Sequence, residues 1–112
     1  MIPKRLTRVG ETIREELSAM LLRDLKDPRI GFVTITDVVM SPDLRQAKVY
    51  FSRIGGEDER AESLQGLQAA AGFMRRELCH RLALKFAPEI RFFYDESLDT
   101  GARIDRLLKG IE

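Results

Sequence analysis

One cysteine and one histidine stand side by side in this chain, as Cys79 and His80. A thiolate nucleophile needs a base within hydrogen-bond reach. Neighbouring positions on a helix project about 100° apart, which sets this pair badly for that role. Nor do one thiol and one imidazole make a zinc site, and the chain has no second histidine to extend them. Among the acids, Asp95-Glu96 is a pair that helix capping accounts for, and Asp37 has no partner acid or base placed by the sequence. No glycine loop of the Walker or dinucleotide-binding type is present. The inventory therefore predicts no catalysis, no metal and no cofactor. What remains is positive charge. Arg75, Arg76, His80, Arg81 and Lys85 follow one another with only Glu77 to oppose them, and Lys4, Arg5 and Arg8 crowd the amino end. Cations grouped on a helix suit phosphate contacts, which position a protein on nucleic acid without reading its bases. For any single one of them, a solvated surface charge is the competing reading.

The elements that must hold these residues follow from periodicity. A first helix is predicted over residues 4–26, where Leu6, Val9, Ile13, Leu17, Met20, Leu21 and Leu25 keep helical spacing. Asp27-Pro28 ends it, since the residue before proline is pushed out of helical geometry. Residues 32–40 read as a strand rich in β-branched side chains, with Val33, Ile35 and Val39 on one face and Asp37 as its odd member, the mark of a bulge or of the end of burial. After the turn chemistry of Ser41-Pro42-Asp43, residues 45–53 alternate, with Ala47, Val49 and Phe51 inward. These two strands form an antiparallel hairpin. Gly55-Gly56 stops the second, and Glu57, Asp58, Glu59 and Glu62 then favour the positive end of a helix dipole.

The next stretch reads as helix, kink, helix. Leu64, Leu67 and Ala71 fit one stripe; Met74, Leu78, Leu82 and Phe86 fit another. Between them Ala70, Ala71 and Gly72 form a small-residue joint, where a glycine costs about 1 kcal/mol relative to alanine and invites a bend. The second of these helices carries the cations and stops at Ala87-Pro88. Residues 90–95 are the third strand, placed parallel to the second by the helical crossover. Ser97 or Asp95 caps a last helix whose stripe is Leu98, Ile104, Leu107, Leu108 and Ile111. The order αββααβ(α) predicts an α+β fold, a three-stranded mixed sheet in the order first, second, third, with helices on one face. The 112 residues suit one domain, 1–112.

Net charge is +1, yet it is unevenly spread. Residues 1–26 carry six Lys/Arg against four Asp/Glu, residues 73–91 five against two, and residues 57–62 one against four. Such separation orients an approach to a polyanion. A single cysteine forms no internal disulfide and fits a reducing compartment. No stretch has the apolar length of a membrane span, and Met1-Ile2-Pro3-Lys4-Arg5 does not lead into an unbroken apolar run, so a cytoplasmic protein is expected.

This arrangement resembles the type II KH RNA-binding fold, and nearly the whole chain, residues 5–108, resembles the ribosome-binding factor A family. The residues that carry the likeness are Arg5-Leu6 through Leu17, Asp27-Pro28-Arg29, and the run Met40-Ser41-Pro42-Asp43-Leu44-Arg45-Gln46-Ala47-Lys48-Val49-Tyr50. They continue with Ala70-Ala71-Gly72, a match to the family's Ala-x-Gly joint, and Arg91-Phe92-Phe93-Tyr94-Asp95-Glu96-Ser97 followed by Gly101 and Ile104. Their order and spacing make the set specific. KH domains in general clamp nucleotides with a Gly-x-x-Gly loop, and this chain has none at the joint. The resemblance implies a non-enzymatic factor of small (30S) subunit assembly. It would bind 16S rRNA in free subunits or their precursors as a monomer, act in late maturation and 16S 5′-end processing, and serve growth in the cold. Arg75, Arg76, Arg81 and Lys85, then Lys4, Arg5 and Arg8, are the expected RNA contacts. The competing reading is a KH-like protein–protein adaptor without direct RNA contact.

Overall fold

A computed structural model describes residues 4–97. The order is α1 (Lys4–Arg23), β1 (Val33–Met40), β2 (Gln46–Arg53), α2 (Glu57–Arg81) and β3 (Glu89–Tyr94). β1 and β2 pair antiparallel, β2 and β3 parallel, in the spatial order β1-β2-β3. This is the expected α+β, KH-like type II arrangement with a mixed sheet. The expected last helix, with Leu98, Ile104, Leu107, Leu108 and Ile111, lies outside the described residues.

One layer of side chains joins helices to sheet. Ile13, Leu17 and Met20 of α1 and Leu67, Met74 and Leu78 of α2 are fully buried against Ala47, Val49 and Phe51 of β2. Ile90 and Phe92 of β3 complete the floor of the core. The alternation of β2 therefore faces as its sequence predicts. Phe51 alone, with no exposed surface, contributes on the order of 1.5–3 kcal/mol of transfer free energy. Its ring meets Tyr94 edge-on at 5.8 Å.

β1 departs from strict alternation. The register runs Ile35↔Phe51 and then Asp37↔Tyr50, so Thr36 has no partner in β2 and forms a β-bulge. The extra residue shifts the phase of everything after it. Val38 and Met40 turn inward, while Val39, expected inward, faces out beside the exposed Asp37. Thr36 is held from the far side of the sheet: its hydroxyl donates to the Asp95 carboxylate at 2.5 Å.

The helical region after β2 differs more. Helical hydrogen bonding runs unbroken from Glu57 to Arg81, through Ala70, Ala71 and Gly72, so the two expected helices are one. The helix also ends six residues before Ala87. Leu82 is its C-cap, Ala83 takes a left-handed conformation at φ 51°, and the Leu84 N–H donates to the Cys79 carbonyl at 3.2 Å. That is the Schellman closure, with alanine where glycine is usual.

Two glycines explain how closely the helices approach the rest. A Cβ on Gly10 of α1 would lie 2.6 Å from the Val38 carbonyl oxygen, so the helix crosses β1 at backbone contact. A Cβ on Gly66 of α2 would lie 2.7 Å from Ile30 Cγ1. Gly66 and the neighbouring Ser63 form the seat of the connection before β1. The Ser63 hydroxyl donates to the Ile30 carbonyl at 2.7 Å and accepts from Arg53 Nε at 3.1 Å. Gly72 is different: it is exposed, and its nearest neighbour would be the Arg76 guanidinium at 3.6 Å. The small-residue joint is thus not a place where backbones meet.

Candidate nucleic-acid interface

The parallel register Gln46↔Glu89 brings the starts of β2 and β3 together. The 41–45 turn and the 82–88 loop therefore abut at one end of the sheet. The Glu89 N–H donates to the Arg45 carbonyl at 2.7 Å across this junction. The turn itself is ordered by Asp43, whose carboxylate accepts from the Ser41 hydroxyl at 2.7 Å and the Arg45 N–H at 3.0 Å. Those bonds hold the Asp43 carboxyl below its ordinary pKa, the Ser41 hydroxyl being the main cause. The first half of α1 comes to the same end, where Leu6, Thr7 and Gly10 share a concavity with Met40 and Pro42.

The sequence-predicted cations meet different fates. Arg75 points at the 82–88 loop and donates through Nε to the Pro88 carbonyl at 3.0 Å and through Nη2 to the Ala87 carbonyl at 3.2 Å. It braces the loop. Lys85, expected on a helix, sits in that loop and is exposed, because α2 ends at Arg81. Arg76 lies on the exposed side of α2 next to Gly72 and makes no ion pair among the described residues. Arg81 is saturated instead. It meets Asp24 at 2.9 Å, Glu77 at 3.1 Å and Glu16 at 3.5 Å, two of the three coming from the α1 region. Its pKa is raised, chiefly by the hydrogen bond to Asp24, then by Glu16 and Glu77. A guanidinium shared among three carboxylates has little charge left for phosphate, and its positional effect is to tie α2 to α1. His80 is exposed at the end of α2.

Lys4, Arg5 and Arg8 occupy the first two turns of α1, all exposed, and the first turn holds no acid. Cations there oppose the helix dipole, typically by 0.3–1 kcal/mol, roughly the scale at which an external anion would relieve them. No contact joins them to Arg75, Arg76 or Lys85 among the described residues.

Two residues of this end were not singled out by sequence reasoning. Phe86, assigned to a helical stripe, is 46% exposed in the loop. Arg45 places its guanidinium carbon 4.3 Å from the centroid of the Phe86 ring, and Lys85 Nζ is 5.5 Å from the same point. The signal available was weak: an arginine at the outer start of a strand and an aromatic next to a lysine. Together with Arg75 and Glu89 they border an open concavity of about 500 Å³.

A sheet with helices on one face and a cationic rim formed by turn and loop defines a KH-like domain. A sequence profile described as "Ribosome-binding factor A" matches residues 5–108. A Geobacter sulfurreducens ribosome-binding factor A is 48% identical over 108 residues, 96% of this chain and 92% of that one. Its Anaeromyxobacter dehalogenans counterpart is 56% identical over 106 residues, 94% of this chain and 77% of the other. The chain belongs to the ribosome-binding factor A family. Among solved structures, the NMR structure of a Thermotoga maritima candidate for the same factor aligns with a TM-score of 0.70. It is 38% identical and covers 83% of this chain and 90% of that one. The Thermus thermophilus factor, in coordinates fitted into the cryo-EM map of a 30S complex, shares the fold. Its TM-score is 0.57 at 24% identity, over 84% of this chain and 91% of that one.

Proposed function

We propose that this protein is a small-subunit assembly factor that binds immature 30S particles through 16S rRNA, as a cytoplasmic monomer without catalysis. Its place is late maturation, including the 16S 5′ end, with greatest need in the cold, when misfolded RNA helices resolve slowly. The observation that carries the reading is the cationic end of the sheet. Lys85, Arg45 and the amino-terminal cations of α1 stand exposed there on braced backbone, in a chain whose Thermus relative is described in complex with the 30S subunit. Such a protein works by stoichiometric binding. It prefers one rRNA arrangement and shifts the population toward it by that difference in affinity. Arg76, Lys85, Lys4, Arg5 and Arg8 supply phosphate contacts; Arg75 supports them by holding the loop, and Arg81 by joining the helices. Ala70 and Ala71 pack half-buried against the core, and Gly72 leaves the helix surface open beside Arg76.

The test is sedimentation of tagged protein with cell extract at several salt concentrations. The protein is expected with free small subunits and their precursors, absent from translating ribosomes, and released steeply as salt rises. Sedimentation with a ribosome-free protein complex, insensitive to salt, would instead establish an adaptor.

A further inference from the structure

We propose that the Phe86–Arg45 pair is a nucleotide site that takes one unpaired RNA base, with Lys85 on the adjoining phosphate; this rests on the rRNA-binding reading above and names the RNA element it prefers. An aromatic ring left 46% exposed in a concavity of about 500 Å³ is a stacking surface of the size a base needs. The Arg45 guanidinium lies over one face of the ring at 4.3 Å, so it adds charge and offers its own outer plane to a base, while the ring offers the face turned away from it. Bases stack on both aromatic rings and guanidinium planes, and each stacked base contributes irrespective of its identity. Lys85 is on the same loop, exposed, within 5.5 Å of the ring centroid.

The site is built before any ligand arrives. Arg75 fixes the two carbonyls that follow Phe86, at Ala87 and Pro88. The Cys79 thiol donates to the Leu84 carbonyl at 3.4 Å, and the Schellman closure holds Leu84 from the other side. The Arg45 carbonyl is bonded to the Glu89 N–H. Among the described residues the one carboxylate bordering the concavity, Glu89, accepts from Arg91 Nε at 3.1 Å, so the balance of charge they place over the site is positive. Positive charge around an exposed aromatic favours an unpaired strand over a peptide, and a paired strand hides the base face that the ring would meet.

The experiment is fluorescence titration of a labelled ten-nucleotide oligoadenylate and of a labelled RNA hairpin stem, at four salt concentrations, with melts on every variant. Phe86→Ala and Phe86→Leu are expected to weaken single-strand binding roughly 5- to 150-fold, the range that follows from losing one stacked base, with the salt slope unchanged. Phe86→Tyr keeps a ring and is expected to bind like the parent. Lys85→Gln is expected to lower the single-strand slope by about 0.7, one phosphate contact. Phe86→Leu retains apolar bulk, so it separates loss of the ring from loss of the loop should Phe86→Ala melt early. Single-strand binding by Phe86→Leu equal to the parent would overturn the site. So would an equal loss on stem and single strand. Either result leaves the assembly-factor reading intact if the parent protein still sediments with small subunits; failure of that sedimentation strikes the reading itself.

Discussion

The same substitution at two positions of α2 should change stability in opposite directions. Gly→Ala inside a helix gains about 1 kcal/mol from propensity. At Gly72 the new methyl group meets only the Arg76 guanidinium, at 3.6 Å, an ordinary contact with the movable end of a surface side chain. Gly72→Ala is therefore expected to stabilise by about 0.5–1 kcal/mol. At Gly66 the methyl would fall 2.7 Å from Ile30 Cγ1 and 3.2 Å from the Ile30 nitrogen. The first distance is roughly 1 Å inside normal carbon contact. Ile30 is buried, and its carbonyl is held by Ser63, so it has no easy retreat. Overpacking of this kind costs about 1–3 kcal/mol, which more than cancels the propensity gain. The net expectation for Gly66→Ala is a loss of about 0.5–2 kcal/mol. For a chain this size each kcal/mol moves Tm by about 4 °C, so the two variants should differ by about 4–12 °C. Urea titrations followed by circular dichroism give the same comparison at fixed temperature. A Gly66→Ala protein as stable as Gly72→Ala would refute the argument, because it would mean that the connection before β1 does not press on α2.

Three further outcomes follow from local geometry. Ala83→Gly should raise stability by about 0.5–1 kcal/mol, since the left-handed Schellman position penalises a Cβ; a melt that is unchanged or lower would contradict that closure. Asp95 has a pKa below its ordinary value of 3.8, held down first by the Ser97 hydroxyl and then by Thr36. A depressed folded-state pKa stabilises above the unfolded value and is lost as pH falls through the folded one, so Asp95→Asn should lower Tm at neutral pH and flatten its decline below about pH 4, the two curves converging in acid. Arg81→Gln should loosen the α1–α2 contact, seen as faster amide exchange in both helix ends, yet leave the salt slope of subunit binding unaltered; Arg76→Glu should do the reverse, lowering slope and affinity without a change in exchange.

What the sequence disclosed depended on how far the deciding contact lay along the chain. Ala47, Val49 and Phe51 alternate against a single buried layer, so β2 could be faced by inspection, and the sheet order followed from one hairpin and one crossover. Val39 was misplaced because a bulge at Thr36 inserts one residue; Asp37, out of place on an apolar face, marked the irregularity without saying which residue was extra. The end of α2 was missed because its closure uses Ala83; had glycine stood there, the stop would have been visible, and Lys85 and Phe86 would have been read as loop residues. Gly66 and Gly72 look alike in the sequence, and only Ile30, arriving from 36 residues earlier, decides which is pressed upon. Arg81 resembled its cationic neighbours because Glu16 and Asp24 are brought to it by tertiary packing. The role of Arg75 was hidden for the same reason, its acceptors being backbone carbonyls that carry no sequence signature.

The bulge in β1 has a consequence for the molecule in a crowded solution. β1 is an outer strand of the sheet, and beside it Leu22 and Phe32 are almost wholly exposed. A straight, apolar outer strand would serve as a template on which further copies could add, edge to edge, toward a precipitate. The step at Thr36 divides that edge into two runs, 33–35 and 37–40, that do not lie in one line. Neither is long enough for a stable intermolecular ladder, and Asp37 stands exposed at the step. The irregular strand thus disfavours edge-to-edge addition of further copies, and the hydroxyl–carboxylate bond from Thr36 to Asp95 keeps the strand irregular.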